Sequence, residues 1–164
     1  MNAVETKHSR PSTQLLTFTL GDEAFAIDIL KVQEIKSSVT ITPLPNAAPE
    51  LRGVINLRGS VVPIVDLRRR LKMQDTEFTR HSVVIVTRVF DKIVGLVADT
   101  VSDVLAISPD QVSAPPQLES NGAHTNYLAG LVRVGERLLV LLDIDRALGE
   151  LVSREEHGRV AAHS

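Results

Sequence analysis

Cysteine and tryptophan are missing from this chain of 164 residues, and aromatic residues make up only 3% of it, with one tyrosine, Tyr127, and four phenylalanines. The lack of cysteine excludes disulfides, thiolate catalysis and Cys-based metal sites. The shortage of aromatics leaves little on which bases could stack, as single-strand nucleic-acid binding requires. An excess of one charge is absent as well. Eighteen basic residues face 20 acidic ones, and a formal net charge of −2 gives no electrostatic reason to seek nucleic acid or an anionic membrane. Apolar runs such as Leu138 to Leu142 fall far short of the roughly 20 residues that a membrane-spanning helix needs. The polar start MNAVETKHSRPSTQ carries no signal-peptide stretch. A cytoplasmic, reducing location without direct membrane insertion is the default expectation.

What the chain does have is aliphatic side chains. Hydrophobic residues reach 43%, mostly Val, Leu and Ile, enough for a core and too many for wholesale disorder. The length suits one domain or two small ones.

Catalytic patterns are scarce. The five histidines (His8, His81, His124, His157 and His163) are scattered and lack metal-ligand spacing. No nucleophile elbow, Walker loop or dinucleotide fingerprint is present. Asp22-Glu23 and Glu155-Glu156 read as solvated surface. Asp66 and Asp143 stand at equivalent strand ends, where helix capping explains them better than catalysis. The expectation is a protein that is not an enzyme and uses no cofactor or metal. The one basic cluster, Arg68-Arg69-Arg70-Lys72, reads as solvated surface rather than a phosphate site. A small β-barrel that binds nucleic acid remains the alternative from another class.

Between a disordered arm expected over 1–12 and a flexible tail over 153–164, short β-type segments dominate. Gln14–Leu20 alternates, with Leu16, Phe18 and Leu20 on one face, and returns as Ala24–Ile27 after a turn at Gly21-Asp22-Glu23. Asp28 is placed to cap a short helix over Ile29–Ile35, with Val32 and Ile35 on one side. Strands follow at Val54–Leu57 and Val61–Leu67 around Arg58-Gly59-Ser60, and Pro63 suggests a sheet edge or bulge. A helical turn is expected at Arg68–Leu71. Hairpins are expected at Ser82–Val89 with Ile93–Ala98, and at Leu131–Val134 with Leu138–Ile144. A helix near Asp145–Leu151 closes the pattern. Three of the four phenylalanines fall in core-like positions.

An internal repeat organises these segments. GVINLRGSVVPIVDLRRRL (Gly53–Leu71) aligns without gaps on GLVRVGERLLVLLDIDRAL (Gly130–Leu148), pairing Gly53 with Gly130, Asp66 with Asp143, Arg69 with Arg146 and Leu71 with Leu148. Upstream, KVQEI (Lys31–Ile35) resembles TVSDV (Thr100–Val104), each preceded by a hairpin. The chain reads as two copies of one β-rich unit, the second beginning near Ser82. Units this small bury little alone. Val83–Val86 and Leu138–Leu142, apolar on both faces, fit two small barrels or half-barrels sharing an aliphatic core.

FTLGDEAFAIDILKVQEI, GVINLRGSVVPIVDLR, VVIVTRVFDKIVGLVADTVSDVLAIS and YLAGLVRVGERLLVLLDI resemble, in order, the successive signature blocks of the CheW family, over about Leu15 to Leu148. The resemblance implies a mainly all-β fold of two intertwined, five-stranded SH3-like β-barrel subdomains with short helices and a C-terminal helix, spanning 13–152. It implies a non-enzymatic scaffold that couples the cytoplasmic tip of a methyl-accepting chemoreceptor to the regulatory domain of the histidine kinase CheA. The alternative within the resemblance is the adaptor of a non-flagellar chemosensory pathway, in pilus motility or second-messenger control. The family's receptor-contact groove between the subdomains maps onto Val32, Gly53, Val83, Gly95, Val101 and Val104. Val83 and Val101 also read as core, and the two glycines as sites of close backbone approach. Glu34 and Arg58 match charged positions used in assembly, where a surface ion pair between them is the plainer reading.

Overall fold

The computed structural model of this chain describes residues 13–73, 82–114 and 127–152, and among them four two-residue turns set the hairpins. Strand β1 (Thr13–Leu20) turns through Gly21-Asp22 into β2 (Glu23–Asp28), with Leu20 opposite Glu23. A single 3-10 turn leads to β3 (Val32–Ser37). The second hairpin joins β4 (Leu51–Leu57) and β5 (Ser60–Val65) through Arg58-Gly59, both at positive φ, as a tight hairpin turn requires. Helical turn α1 (Leu67–Arg70) follows. The third hairpin is β6 (Val83–Val89) with β7 (Lys92–Ala98), and β8 (Thr100–Ile107) continues from it. A two-residue β9 (Val112–Ser113), the hairpin β10 (Leu128–Val134) with β11 (Arg137–Leu142), and helix α2 over 144–152 complete the described residues.

The strands form a five-stranded sheet, β3-β6-β7-β5-β4, and a six-stranded sheet, β8-β1-β2-β11-β10-β9. The orders correspond. In each sheet, one hairpin is joined by a short parallel ladder to a hairpin from the other repeat: Ile64 opposite Gly95 in the first, Val140 opposite Phe25 in the second. Each repeat therefore lends its first hairpin to the other's sheet. This is the intertwining of two SH3-like subdomains that the family resemblance implied.

The core follows the same plan. Ile55, Leu57, Val62, Ile64, Val84, Val86 and Val97 cluster within the five-stranded sheet, and Leu15, Ala26, Ile107, Val132 and Leu139 within the six-stranded one. The largest cluster lies between them and unites Leu16, Phe18, Leu20, Ile85, Leu96, Leu142 and Leu148. At about 1.5–3 kcal/mol for each large aliphatic side chain buried, neither inner cluster would hold a subdomain against its conformational entropy, and the shared one makes up the difference. The alternation expected in β1 holds for Leu16, Phe18 and Leu20, while Leu15 and Thr17 are buried on the other face. The Thr17 hydroxyl satisfies its own burial by donating to the Asp103 carbonyl and accepting from the Asp103 N–H.

Three expectations need correction. The helix foreseen over Ile29–Ile35 is only a 3-10 turn, Ile29–Lys31, after which β3 begins. Asp28 does cap that turn, accepting from the Leu30 N–H at 3.0 Å. Pairing with β6 then supplies the backbone hydrogen bonds, and β-branched Val32 and Ile35 suit a strand. The two residues consequently face opposite sides, Val32 half-buried and Ile35 44% exposed. Pro63, second, is on an interior strand rather than an edge, although the other expected feature, a bulge, lies beside it in the β4–β5 ladder, between Leu51 and Gly53. Val54 spends its N–H and C=O on Thr42, so its pairing with Pro63 is a non-hydrogen-bonded one and the missing N–H falls outside the β4–β5 ladder.

Third, the arginine run is not solvated surface. Arg68 and Arg70 are buried, for reasons given below. Phe18 and Phe25 stack in the core and Phe90 is 64% exposed on a hairpin tip, while Phe78, on which the expectation of three core phenylalanines then rests, lies outside the described residues. The arm and tail expected over 1–12 and 153–164 also lie outside them.

Candidate protein-interaction site

Glu34 and Arg58 come from opposite margins of the five-stranded sheet. Glu34 is on edge strand β3, and Arg58 tops the turn leaving the other edge strand, β4. Curling of the sheet brings the margins together, and Arg58 Nη2 pairs with Glu34 Oε2 while Nη1 lies 3.4 Å from Oε1. This two-pronged fork is geometry that a lysine could not supply. The Arg58 hydrogen bond holds the Glu34 carboxyl below the ordinary glutamate range, and Glu34 raises the Arg58 guanidinium in turn. With the Arg58 side chain 69% exposed, water and salt screen the pair, and it contributes little to folding. It does orient a cation outward.

A row of residues in register crosses the sheet behind this pair: Gly53, Ile64, Gly95, Val86, Glu34. Both glycines serve close packing. A Cβ on Gly95 would sit 2.5 Å from Ile64 Cδ1 and 2.9 Å from Val84 Cγ1. On Gly53, at φ +147°, it would sit 2.1 Å from the Thr42 carbonyl oxygen. Val32, Val83 and Val101 are half-buried and pack on the rim of the shared core. Val104, by contrast, is 50% exposed on β8, the edge of the six-stranded sheet. The eight residues thus fall into an ion pair, a glycine row, a valine rim and one outlying valine.

Two features escaped the sequence reading. Ile35, 44% exposed, follows Glu34, and Val61, 61% exposed, lies just beyond Arg58, so the ion pair has apolar neighbours in sequence. An apolar residue facing out beside a half-buried acid on an edge strand would have been the signal, had β3 been read as a strand. The other feature is the charged junction at α1. Asp66 is fully buried, caps the helix by accepting from the Arg68 N–H, and lies 3.1 Å from Arg52 Nε. Arg68 also approaches Asp99, whose carboxylate accepts from the Gly21 N–H in the β1–β2 turn of the other sheet. Lys31 bridges the sheets' junction again, donating to Asp145 at 2.6 Å, and that hydrogen bond raises its pKa. Among the described residues, no group of three or more His, Asp or Glu is placed to hold a metal ion, and no helix is long and apolar enough to cross a membrane.

Two SH3-like subdomains exchange hairpins and share one core, with a charged pair on one edge. The CheW-like domain model matches residues 14–152, and the chain belongs to that family. It is 44% identical over 135 residues to the chemotaxis protein CheW of Klebsiella aerogenes, covering 82% of this chain and 81% of that one. It is 34% identical over 140 residues to a probable chemotaxis protein CheW of Rhizobium etli, with 85% and 90% covered. Among solved structures, the scaffolding protein TtCheW of Thermoanaerobacter tengcongensis superposes with a TM-score of 0.75 at 25% identity, over 80% of this chain and 89% of that one. The chain is accordingly a chemotaxis scaffold of the coupling type.

Proposed function

We propose that this chain works in the cytoplasm as a non-enzymatic bridge, holding the tip of a chemoreceptor with one surface and the regulatory domain of CheA with another. The observation that carries the reading is family membership over the whole described chain, together with a fold whose two halves each offer an edge strand. Arg58, aimed outward by Glu34, is the charged contact, and the rim formed by Val32, Val83 and Val101 is the apolar one. Gly53 and Gly95 act by keeping the sheet closely packed behind them. Val104 extends the apolar contact on the second edge. No bond is made or broken. Coupling follows from holding two partners at high effective concentration, so that each contact can be modest.

Reconstitution tests this. A receptor cytoplasmic fragment, CheA and ATP, with and without the protein, should show a saturable gain in kinase autophosphorylation. Arg58→Glu should weaken that gain by about tenfold or more, the scale of reversing one well-placed interfacial charge. A full gain with Arg58→Glu would remove Arg58 from the contact. No gain with any receptor–kinase pair would overturn the bridging role itself.

A further inference from the structure

Helix α2 follows β11 and belongs by sequence to the six-stranded sheet, yet two side chains of the five-stranded sheet's own segments grip it. One is Arg70, at the end of α1 and 7% exposed. Its Nε donates to the Ala147 carbonyl at 2.7 Å, Nη2 lies 3.3 Å from Glu150 and Nη1 3.6 Å from Glu50. The guanidinium also lies over Tyr127, 4.9 Å from the ring centre. The other is Phe90, at the tip of the β6–β7 hairpin. A Cβ on Gly149 would come 2.5 Å from Phe90 Cε2, so the ring lies directly on the helix backbone at Gly149.

Both residues of this second contact break a local rule. Phe90 and Asp91 stand at φ +50° and +70°, in a turn that favours Asn, Asp or Gly and strains a bulky aromatic. Gly149 sits inside a helix, where glycine is the poorest residue short of proline. Two local misfits that face each other are consistent with a tertiary contact that offsets both. On the inner side, Ile144, Ala147, Leu148 and Leu151 bury one helical face in the shared core.

We propose that Arg70 and the Phe90–Gly149 contact form a two-point clasp by which the five-stranded subdomain fixes the helix of the six-stranded one, and that loss of either point frees α2 while both sheets stay folded. Arg70 and Phe90 are positioning residues in this arrangement. The clasp stands apart from the coupling role and is tested without partners.

The test is amide hydrogen exchange on the full chain, comparing 144–152 with β6 and β7. Phe90→Asn puts a favoured residue into the turn. It should nevertheless speed exchange in α2 by about threefold to tenfold, the factor one aromatic contact corresponds to. Arg70→Lys keeps the charge but loses the fork, and should speed it by about tenfold or more. Gly149→Ala should speed exchange when Phe90 is present, because the ring is pushed off. In the Phe90→Asn background it should slow exchange by roughly fivefold, from helix propensity alone.

That reversal of sign is what simple packing would not produce. The clasp is overturned if Gly149→Ala slows exchange in both backgrounds, if Phe90→Asn or Arg70→Lys leaves α2 unchanged, or if any variant accelerates β6 and β7 as much as α2.

Discussion

At the scale of single residues, two glycines and one carboxylate make the most definite claims. Gly95→Ala forces a methyl group against Ile64 and Val84, side chains that can give way, and should cost about 1–3 kcal/mol, the usual range for overpacking. Gly53→Ala meets a backbone carbonyl at an unfavourable φ, has no such relief, and should cost more. Urea midpoints at constant slope would check the order. For Glu34, the folded-state pKa lies below the unfolded one, so the stabilisation from its pair with Arg58 is complete above the ordinary glutamate pKa. It fades as pH falls through the depressed value. An NMR titration should place the Glu34 carboxyl below the other exposed glutamates, and Arg58→Ala should return it to their range. The roles of these residues were unevenly legible in the sequence. A glycine in an apolar strand already suggested close approach at Gly53 and Gly95. Gly95 meets Ile64 across a parallel ladder and Gly53 meets Thr42 beside an isolated bridge, and no local pattern announces either.

Elements repeat the lesson in another form. The aligned segments Gly53–Leu71 and Gly130–Leu148 fold alike down to detail: each has a bulge at its glycine, a strand or bridge beside it, and an aspartate capping the following helix. Arg69 and Arg146, aligned in the sequence, each lie near their own cap, at 3.7 and 3.6 Å. The copies diverge in burial. Asp66 is enclosed beside Arg52 and Arg68, while the Asp143 side chain is 35% exposed. Asp143→Ala should therefore cost about 1 kcal/mol, the ordinary loss of an N-cap. Asp66→Ala should cost about 3–5 kcal/mol, because buried arginines lose their carboxylate. Thermal unfolding of the two variants side by side would check this, and equal losses would contradict the electrostatic reading of the α1 junction. Capping at both aspartates could be read from the repeat. Burial of the arginine run could not, because its partners Glu50, Asp99 and Glu150 are far away in the chain. KVQEI and TVSDV both lead into edge strands, but periodicity over five residues does not separate helix from strand, and pairing with β6 and β1 decides it.

For the molecule as a whole, the exchange of hairpins governs behaviour. Both sheets draw on both repeats, so a cut between Met73 and Ser82 leaves each half without the hairpin its sheet needs. The separate halves should show no cooperative unfolding transition, and mixing them should restore one. Circular dichroism melts of each half and of the mixture would check this, and a half that melts cooperatively alone would contradict the shared-core account. Two copies and a common core were visible in the sequence. The exchange followed only from the family resemblance, since an alignment of repeats is silent on which copy's hairpin joins which sheet.

The same exchange sets an order in time. During synthesis, β1–β2 leaves the ribosome before either strand that will flank it, for β8 comes some eighty residues after β1 and β11 more than a hundred after β2. The five-stranded sheet has all its strands once Ala98 has emerged. The hairpin made first is housed last, and until then its aliphatic faces are in the keeping of the unfinished chain.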